Sequence, residues 1–324
     1  MSDPQSVADP DAFDGALESV CFTGLAPGPK LLVLGAVHGN ETCGPQAIRR
    51  AIADCRAGRL RIGRGAVTFV PVANPKAYRQ GTREGDRNLN RDLHDKPVPL
   101  DYEDRVGNRL CALLRDHDAL LDIHSFRSQG EPFVFFGPED NAGDLEPFRQ
   151  AAAEGAFAAC LGAPTLIHGW LDNYARLISA RERLGLPELS PSEGHGTTEY
   201  MRFCGGYGVT LECGNHEDPA AIEVGHGAIL NALAHLGISG SAPPSRQARQ
   251  VIRIVDLVIC EQDGDRLEGS WKTGDAVAAG QPIARRASGD AVTAPSPGFI
   301  IFPSSSAKRG DGICYFGVAS DRTL

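Results

Sequence analysis

Three apolar runs in this chain end in side chains that can bind a metal or move a proton. Leu31-Leu-Val-Leu-Gly-Ala-Val37 leads to His38, Leu120-Leu-Asp-Ile123 to His124, and Val209-Thr-Leu211 to Glu212. Apolar strand-like runs set between amphipathic segments are the pattern of an α/β domain. At 324 residues and 42% hydrophobic content, the chain is long enough for one large domain with a good core, or one large and one small.

Element by element, strands are expected at Leu31–Val37, Ala66–Val72, Ala119–Ile123, Phe133–Phe136 and Tyr207–Glu212. Helices are expected at Ala47–Cys55, with Pro45 in its first turn and Gly58 as its stop, and at Tyr102–Arg115, Leu145–Leu161 and Pro219–Leu236. The polar segment Asn74–Pro99 has no periodic assignment, and a loop of that length in a compact domain is often functional. At Gly240-Ser-Ala-Pro-Pro-Ser245 the composition becomes that of a linker, and short β-rich runs follow. This places a boundary between residues 1–240 and 241–324.

His38 and Glu41 enter a glycine-containing turn as His-Gly-Asn-Glu. Imidazole nitrogen and carboxylate oxygen are both good zinc ligands, and a catalytic zinc commonly takes three protein ligands while leaving a position for water. His-x-x-Glu spacing alone is weak evidence. His124, at the end of a second apolar run, supplies the third donor, because two strand ends can converge on one ion.

The net charge of −9 argues against a nucleic-acid or anionic-membrane surface, either of which normally needs a basic patch. No apolar stretch approaches the roughly 18–20 residues of a membrane span. The N-terminus, Met1-Ser-Asp-Pro-Gln-Ser-Val-Ala-Asp-Pro10, lacks the basic start and apolar segment of a secretory signal, so a cytoplasmic location is expected. Nine cysteines without a Cys-x-x-Cys pair suit neither a disulfide framework nor a thiolate metal site. Cys43 and Cys213 each lie within two residues of a candidate carboxylate, and packing is the expected role for both.

Four segments together, Gly35-Ala-Val-His38-Gly-Asn-Glu41, Thr82-Arg83 through Asn88-Leu-Asn90-Arg91, Asp122-Ile-His124 and Thr210-Leu-Glu212, resemble the succinylglutamate desuccinylase and aspartoacylase family, relatives of the zinc carboxypeptidases. The resemblance runs in order and spacing over roughly residues 30–240. It implies an α/β fold with a mixed central sheet flanked by helices, followed by a small all-β domain. The tail itself, from Gly274 to Ile301, resembles a barrel-sandwich hybrid but lacks the acceptor lysine of a carrier domain, which leaves a structural or lid role.

The resemblance further implies one zinc per chain held by His38, Glu41 and His124, with Glu212 as general base. Arg83 would stabilise the oxyanion, and Asn90 and Arg91 would hold a substrate carboxylate. The chemistry agrees: zinc lowers the pKa of bound water toward about 7, a nearby carboxylate can take the proton, and a guanidinium can bind a carboxylate bidentately. The expected function is a zinc-dependent amidohydrolase that removes an acyl group from a small N-acyl amino acid or related amine. Homo-oligomers are left open. The alternatives are a metallocarboxypeptidase acting on short peptides and a non-catalytic metal-binding protein.

Each residue also has a plainer role available. His38 and His124 could be satisfied core histidines, Glu41 a helix-start carboxylate, and Glu212 a solvent-facing strand end. Arg83, Arg87 and Arg91 could form a solvated charge run, the role expected for Arg87. Surface placement is expected for His94, His117, His216 and His226. The Ser190–Tyr200 loop could line the pocket or lie on the surface. Two positions depart from the family pattern: Asn88 stands where an acidic residue is common, and Ser125-Phe126 follows the third histidine.

Overall fold

A computed structural model describes residues 17–246, 248–322 and 324; the polar stretch Met1–Pro10 lies outside them. The strands are β1 (Val20–Thr23), β2 (Ala26–Gly35), β3 (Arg64–Val70), β4 (Ala119–Phe126), β5 (Phe133–Phe135), β6 (Thr165–His168) and β7 (Tyr207–Asn215), then β8 (Gln250–Ile259), β9 (Arg266–Leu267), β10 (Ala276–Val277), β11 (Pro282–Arg285), β12 (Ala291–Thr293), β13 (Gly298–Ile301) and β14 (Gly312–Ala319). The helices are α1 (Cys43–Arg56), α2 (Pro75–Gln80), α3 (Tyr102–Arg115), α4 (Ala151–Cys160), α5 (Trp170–Arg183), α6 (Thr197–Phe203) and α7 (Ala220–His235).

Eleven strands form one sheet in the order β1-β3-β2-β4-β7-β5-β6-β8-β14-β13-β10. It is mixed, as expected: β2, β3, β4 and β7 run parallel, while β5 is antiparallel to β7. Strand alternation explains why its centre is apolar on both faces. Leu31 and Val33 pack with α1, α4 and α7 through Ile48, Phe157 and Ile229. Leu32 and Leu34 point the other way, toward Val106, Leu110 and Leu114 of α3 and Met201 of α6.

The expected elements are present with shifted ends. The helix predicted from Leu145 begins at Ala151. Pro147 disfavours helix at the residue before it, and Asn141 and Phe148 instead exchange backbone hydrogen bonds of 2.9 and 3.2 Å. Segment Asn74–Pro99 is not wholly irregular, because Asn74 caps α2 by accepting from Ala77 N at 3.2 Å, with Pro75 following. Residues 197–200 of the expected Ser190–Tyr200 loop are helical, forming the start of α6.

The C-terminal strands gather their own core around Val258, Ile283, Ile300, Ile313 and Phe316. They also extend the main sheet, since β8 pairs parallel with β6 from Thr165↔Gln250 to His168↔Arg253. A second sheet, β12-β11-β9, completes this region. Among the described residues no helix is long and apolar enough to cross a membrane.

One buried charge ties three elements together. The Arg202 guanidinium of α6 donates to Glu154 of α4 through Nε to Oε2 at 2.9 Å and Nη2 to Oε1 at 3.1 Å, to Glu146 at 2.6 Å, and to the Gly208 carbonyl of β7 at 2.9 Å. Removing one partner of a buried pair strands the rest without water or counter-charge. Arg202→Met should therefore cost about 3–5 kcal/mol of unfolding free energy in urea titration; a loss below about 1 kcal/mol would mean that the carboxylates neutralise or rehydrate without it.

Candidate metal centre and cleft

Ala36 begins the turn that presents His38 and Glu41, and it adopts a left-handed φ of 46° that a non-glycine residue rarely takes. Its carbonyl accepts from Asn74 N at 3.0 Å, and the Gly35 carbonyl from Ala73 N at 2.8 Å, so the segment after β3 fixes the turn. Gly39 then presses against α2: a Cβ there would lie 2.0 Å from the Ala77 carbonyl carbon, so no larger residue fits.

His124 arrives from β4, beside β2. His38 Nδ1 lies 2.9 Å from Glu41 Oε1, His124 Nδ1 lies 2.9 Å from Glu41 Oε2, and the two Nδ1 atoms are 3.2 Å apart. All three residues are at most 3% exposed. His38 Nε2 meets Asn88 Oδ1 at 3.2 Å. A carbonyl oxygen only accepts, so Nε2 carries the proton and the Nδ1 lone pair faces the Glu41 carboxylate. Burial holds His38 down at about 4, keeping it neutral. Two acceptors facing each other in a dry pocket need a cation or proton between them. Burial alone would lower His124, but Asp122 and Glu41 on either side raise it well above the ordinary histidine value. His124 can therefore hold a proton here that a bound cation would displace. The donor set and its spacing suit a metal with bonds of about 2.0–2.2 Å.

Glu41 is not a helix cap; Thr42 occupies that position on α1. Glu41 accepts from Ser125 N at 3.1 Å and from Arg83 Nη1 at 3.0 Å. Glu212 stands beside this group because His124 and Glu212 are register partners on β4 and β7. Its Oε2 is buried without a hydrogen-bond partner. Burial, and then the Glu41 charge, push its carboxyl up to about 8. A cation among the three donors would draw it down again.

The long loop delivers the other predicted residues. Fully buried Glu103 of α3 accepts from Asn74 Nδ2 and from the backbone N–H groups of Gly85, Asp86 and Arg87, at 3.0–3.3 Å. Arg87 is no solvated charge: its guanidinium bridges Asp101 at 2.9 Å and Asp104 at 2.5 Å and holds the Arg91 carbonyl at 3.0 Å. Braced in this way, the loop places Arg83, Asn90 and Arg91 on the cleft wall. Asn90 Oδ1 accepts from Thr197 N at 2.9 Å, and among the described residues its Nδ2 has no partner. The Arg91 guanidinium stacks over Trp170 at 5.4 Å and Tyr174 at 5.6 Å, with no carboxylate partner among the described residues.

All seven predicted site residues thus line one cavity of about 1400 Å³. Several residues in and behind this cavity were not foreseen. Asp122, fully buried, lies 2.9 Å from His124 Nε2, out of line for a hydrogen bond, and accepts from Thr197 Oγ1 at 2.5 Å. Asp-x-His on a strand puts both side chains on one face, a legible period-2 signal. Asn88, noted only as a departure, holds His38. His216 is not a surface residue but lines the cleft, its Nδ1 2.8 Å from Ser125 Oγ. His117 and His226 are buried, on Thr68 and Asp54 respectively, whereas His94 is exposed as expected. Gly194, Gly196, Thr198 and Glu199 bring the Ser190–Tyr200 stretch to the cleft. Cys43 and Cys213 are buried free thiols behind the donors, the Cys43 Sγ 3.7 Å from the His124 carbonyl.

The site is thus a His-Glu-His group at the strand ends of a mixed α/β sheet, with a buried carboxylate beside it. Residues 27–160 match the succinylglutamate desuccinylase/aspartoacylase catalytic domain, so the family likeness inferred from the four motifs is shown over this part of the chain. The whole fold agrees. A succinylglutamate desuccinylase/aspartoacylase structure from Rhodobacter sphaeroides superposes with a TM-score of 0.72 at 18% identity, covering 94% of this chain and 90% of that one. The product-bound ectoine utilization protein of Ruegeria pomeroyi gives 0.69 at 24% identity, over 93% and 88% of the two chains. Succinylglutamate desuccinylase from Vibrio cholerae gives 0.67 at 17% identity, over 91% and 82%. At these identities the structural likeness speaks to fold alone. No curated protein matches the sequence.

The carboxylate behind His124 can be tested apart from any reaction. Asp122→Asn should weaken Co²⁺ binding by about 10- to 100-fold, the range for an outer partner of a ligating histidine, in competition with a chromogenic chelator. Unchanged affinity would mean that His124 is oriented by packing alone.

Proposed function

We propose that the protein is a zinc-dependent hydrolase that cleaves the linear amide bond of a small N-acyl amino acid or related amine, releasing a carboxylate and the free amine. The convergence of His38, Glu41 and His124 beside the unpartnered Glu212 carboxylate carries this reading. The three would hold the ion, which would supply Lewis acidity toward an acyl carbonyl and toward water. Glu212 Oε2 would accept the proton of the attacking water and return it to the departing amine. Arg83, held by Glu41 yet half exposed, has N–H groups left to face a developing oxyanion. Arg91, pre-set on its aromatic faces, would take the substrate carboxylate bidentately, with Asn90 Nδ2 beside it. Residues 1–240 would form the catalytic unit and 241–324 a β unit closing one side of the cleft. A cavity larger than the roughly 300–1,000 Å³ of most small-molecule sites favours a substrate with a bulky part.

Metal-loaded protein assayed against acetyl, formyl and succinyl amino acids should turn over at least one of them. Glu212→Gln should keep its metal and lose at least about 100-fold in rate; near-normal turnover would assign the base elsewhere. Arg83→Ala should chiefly lower kcat, and Arg91→Ala chiefly raise KM. If both variants change the same parameter, the division of labour between the arginines is wrong.

A further inference from the structure

One wall of the cleft is aromatic. Phe135 comes from β5, Trp170 opens α5, Phe302 follows β13 and Tyr315 lies on β14; all four are half-buried and line the cavity. Their ring centroids form a closed circuit: Phe135 to Trp170 at 5.8 Å, Trp170 to Tyr315 at 5.7 Å, Tyr315 to Phe302 at 6.5 Å and Phe302 to Phe135 at 5.8 Å. Tilted or edge-on rings at such distances attract one another. Buried Phe126 and Phe133 support Phe302 at 5.7 and 5.5 Å.

Phe302 reaches this wall through a strained backbone. Its φ is 47°, and its N–H donates to Thr273 Oγ1 at 3.1 Å. Such a conformation persists only where the surroundings over-determine it, and such residues gather at ligand sites. The surroundings are on the page: Thr273 Oγ1 also meets Ser128 Oγ at 3.0 Å, and Thr273 N donates to the Gln129 carbonyl at 2.9 Å. The C-terminal region is thereby latched to the loop that leaves His124, and Phe302 is aimed at the cleft rather than into its own core.

Arg91 adjoins the same wall, stacked on Trp170 and without a carboxylate partner among the described residues. A ligand that satisfies both features carries a carboxylate and a flat apolar group a short distance apart. We infer that the cleft selects N-acyl amino acids with aromatic side chains, whose carboxylate lies on Arg91 and whose ring lies against Phe302, Tyr315 and Trp170. This rests on the deacylase reading above and names its substrate class. Phe302 and Tyr315 are then specificity-determining residues supplied by the C-terminal strands. An acidic side chain would place its charge against the negative faces of the rings, and a methyl would leave the wall uncovered.

Two measurements test this, the second of them separately from the reaction. For metal-loaded protein, kcat/KM for N-acetyl-L-phenylalanine should exceed that for the L-alanine and L-aspartate analogues by at least about tenfold. Phe302→Ala should remove most of that preference by lowering kcat/KM more for the phenylalanine compound than for the alanine one; Tyr315→Leu carries the same comparison if Phe302→Ala does not fold. A preference for the aspartate compound, or equal losses on all three, overturns the inference. The second measurement needs no turnover. Both tryptophans of the chain, Trp170 and Trp271, line the cleft, so their fluorescence reports binding of the free amino acids. L-Phenylalanine binding about tenfold tighter than L-aspartate upholds the aromatic wall even if no N-acyl amino acid is hydrolysed, a result that would sink the deacylase reading alone. Equal affinities overturn the wall even where hydrolysis is seen.

Discussion

The Glu41 carboxylate, 1% exposed, is surrounded by the groups on which the site depends. It touches His38 on its own turn, His124 and the Ser125 N–H at the end of β4, and Arg83 on the long loop. A carboxylate so buried survives as an anion only because these partners hold it well below its ordinary value, against the opposing effect of burial. Burial, and then the Glu41 charge beside it, push Glu212 the other way, and its Oε2 has no hydrogen-bond partner. One pocket thus sets two carboxylates apart, and a cation among His38, Glu41 and His124 would bring Glu212 to the ionised form that a general base needs.

That arrangement costs stability, and the surrounding structure shows how it is offset. Ala36 is strained at the start of the turn, and the backbone of Ala73 and Asn74 holds it there. The loop after α2 sinks Leu89 and Leu93 into the core beside α3. It is ordered by charge as well, through Glu103 beneath it and Arg87 clasped between Asp101 and Asp104. Hydrogen bonds to ionised groups are worth more than neutral ones, and each of these also removes a choice of conformation from the segment that carries Asn88, Asn90 and Arg91.

The C-terminal strands are bound into this scheme rather than appended to it. β8 continues the central sheet beyond β6, so main-chain hydrogen bonding joins the two regions. Phe302 and Tyr315 pass from that side into the cleft, where they meet Phe135 and Trp170. A cleft with a charged floor and an aromatic wall drawn partly from the C-terminal strands can keep its chemistry fixed while the wall sets what fits.

By itself the sequence determined the central strands, because their runs are long, apolar and bounded by turn residues, and with them the positions of His38, Glu41, His124 and Glu212 at strand ends. Local order in sequence becomes order in space along a strand, so a donor placed after an apolar run falls at one edge of a sheet. Asp122 was legible on the same grounds, two residues before His124. Only the tertiary structure decided the rest. That His38 pairs with Asn88, that Arg87 is a brace while Arg91 remains without a carboxylate partner, and that Phe302 crosses to the cleft all depend on contacts between residues from 14 to 145 or more positions apart. No periodicity records such contacts, because they arise from how whole elements pack and not from the pattern within any one of them.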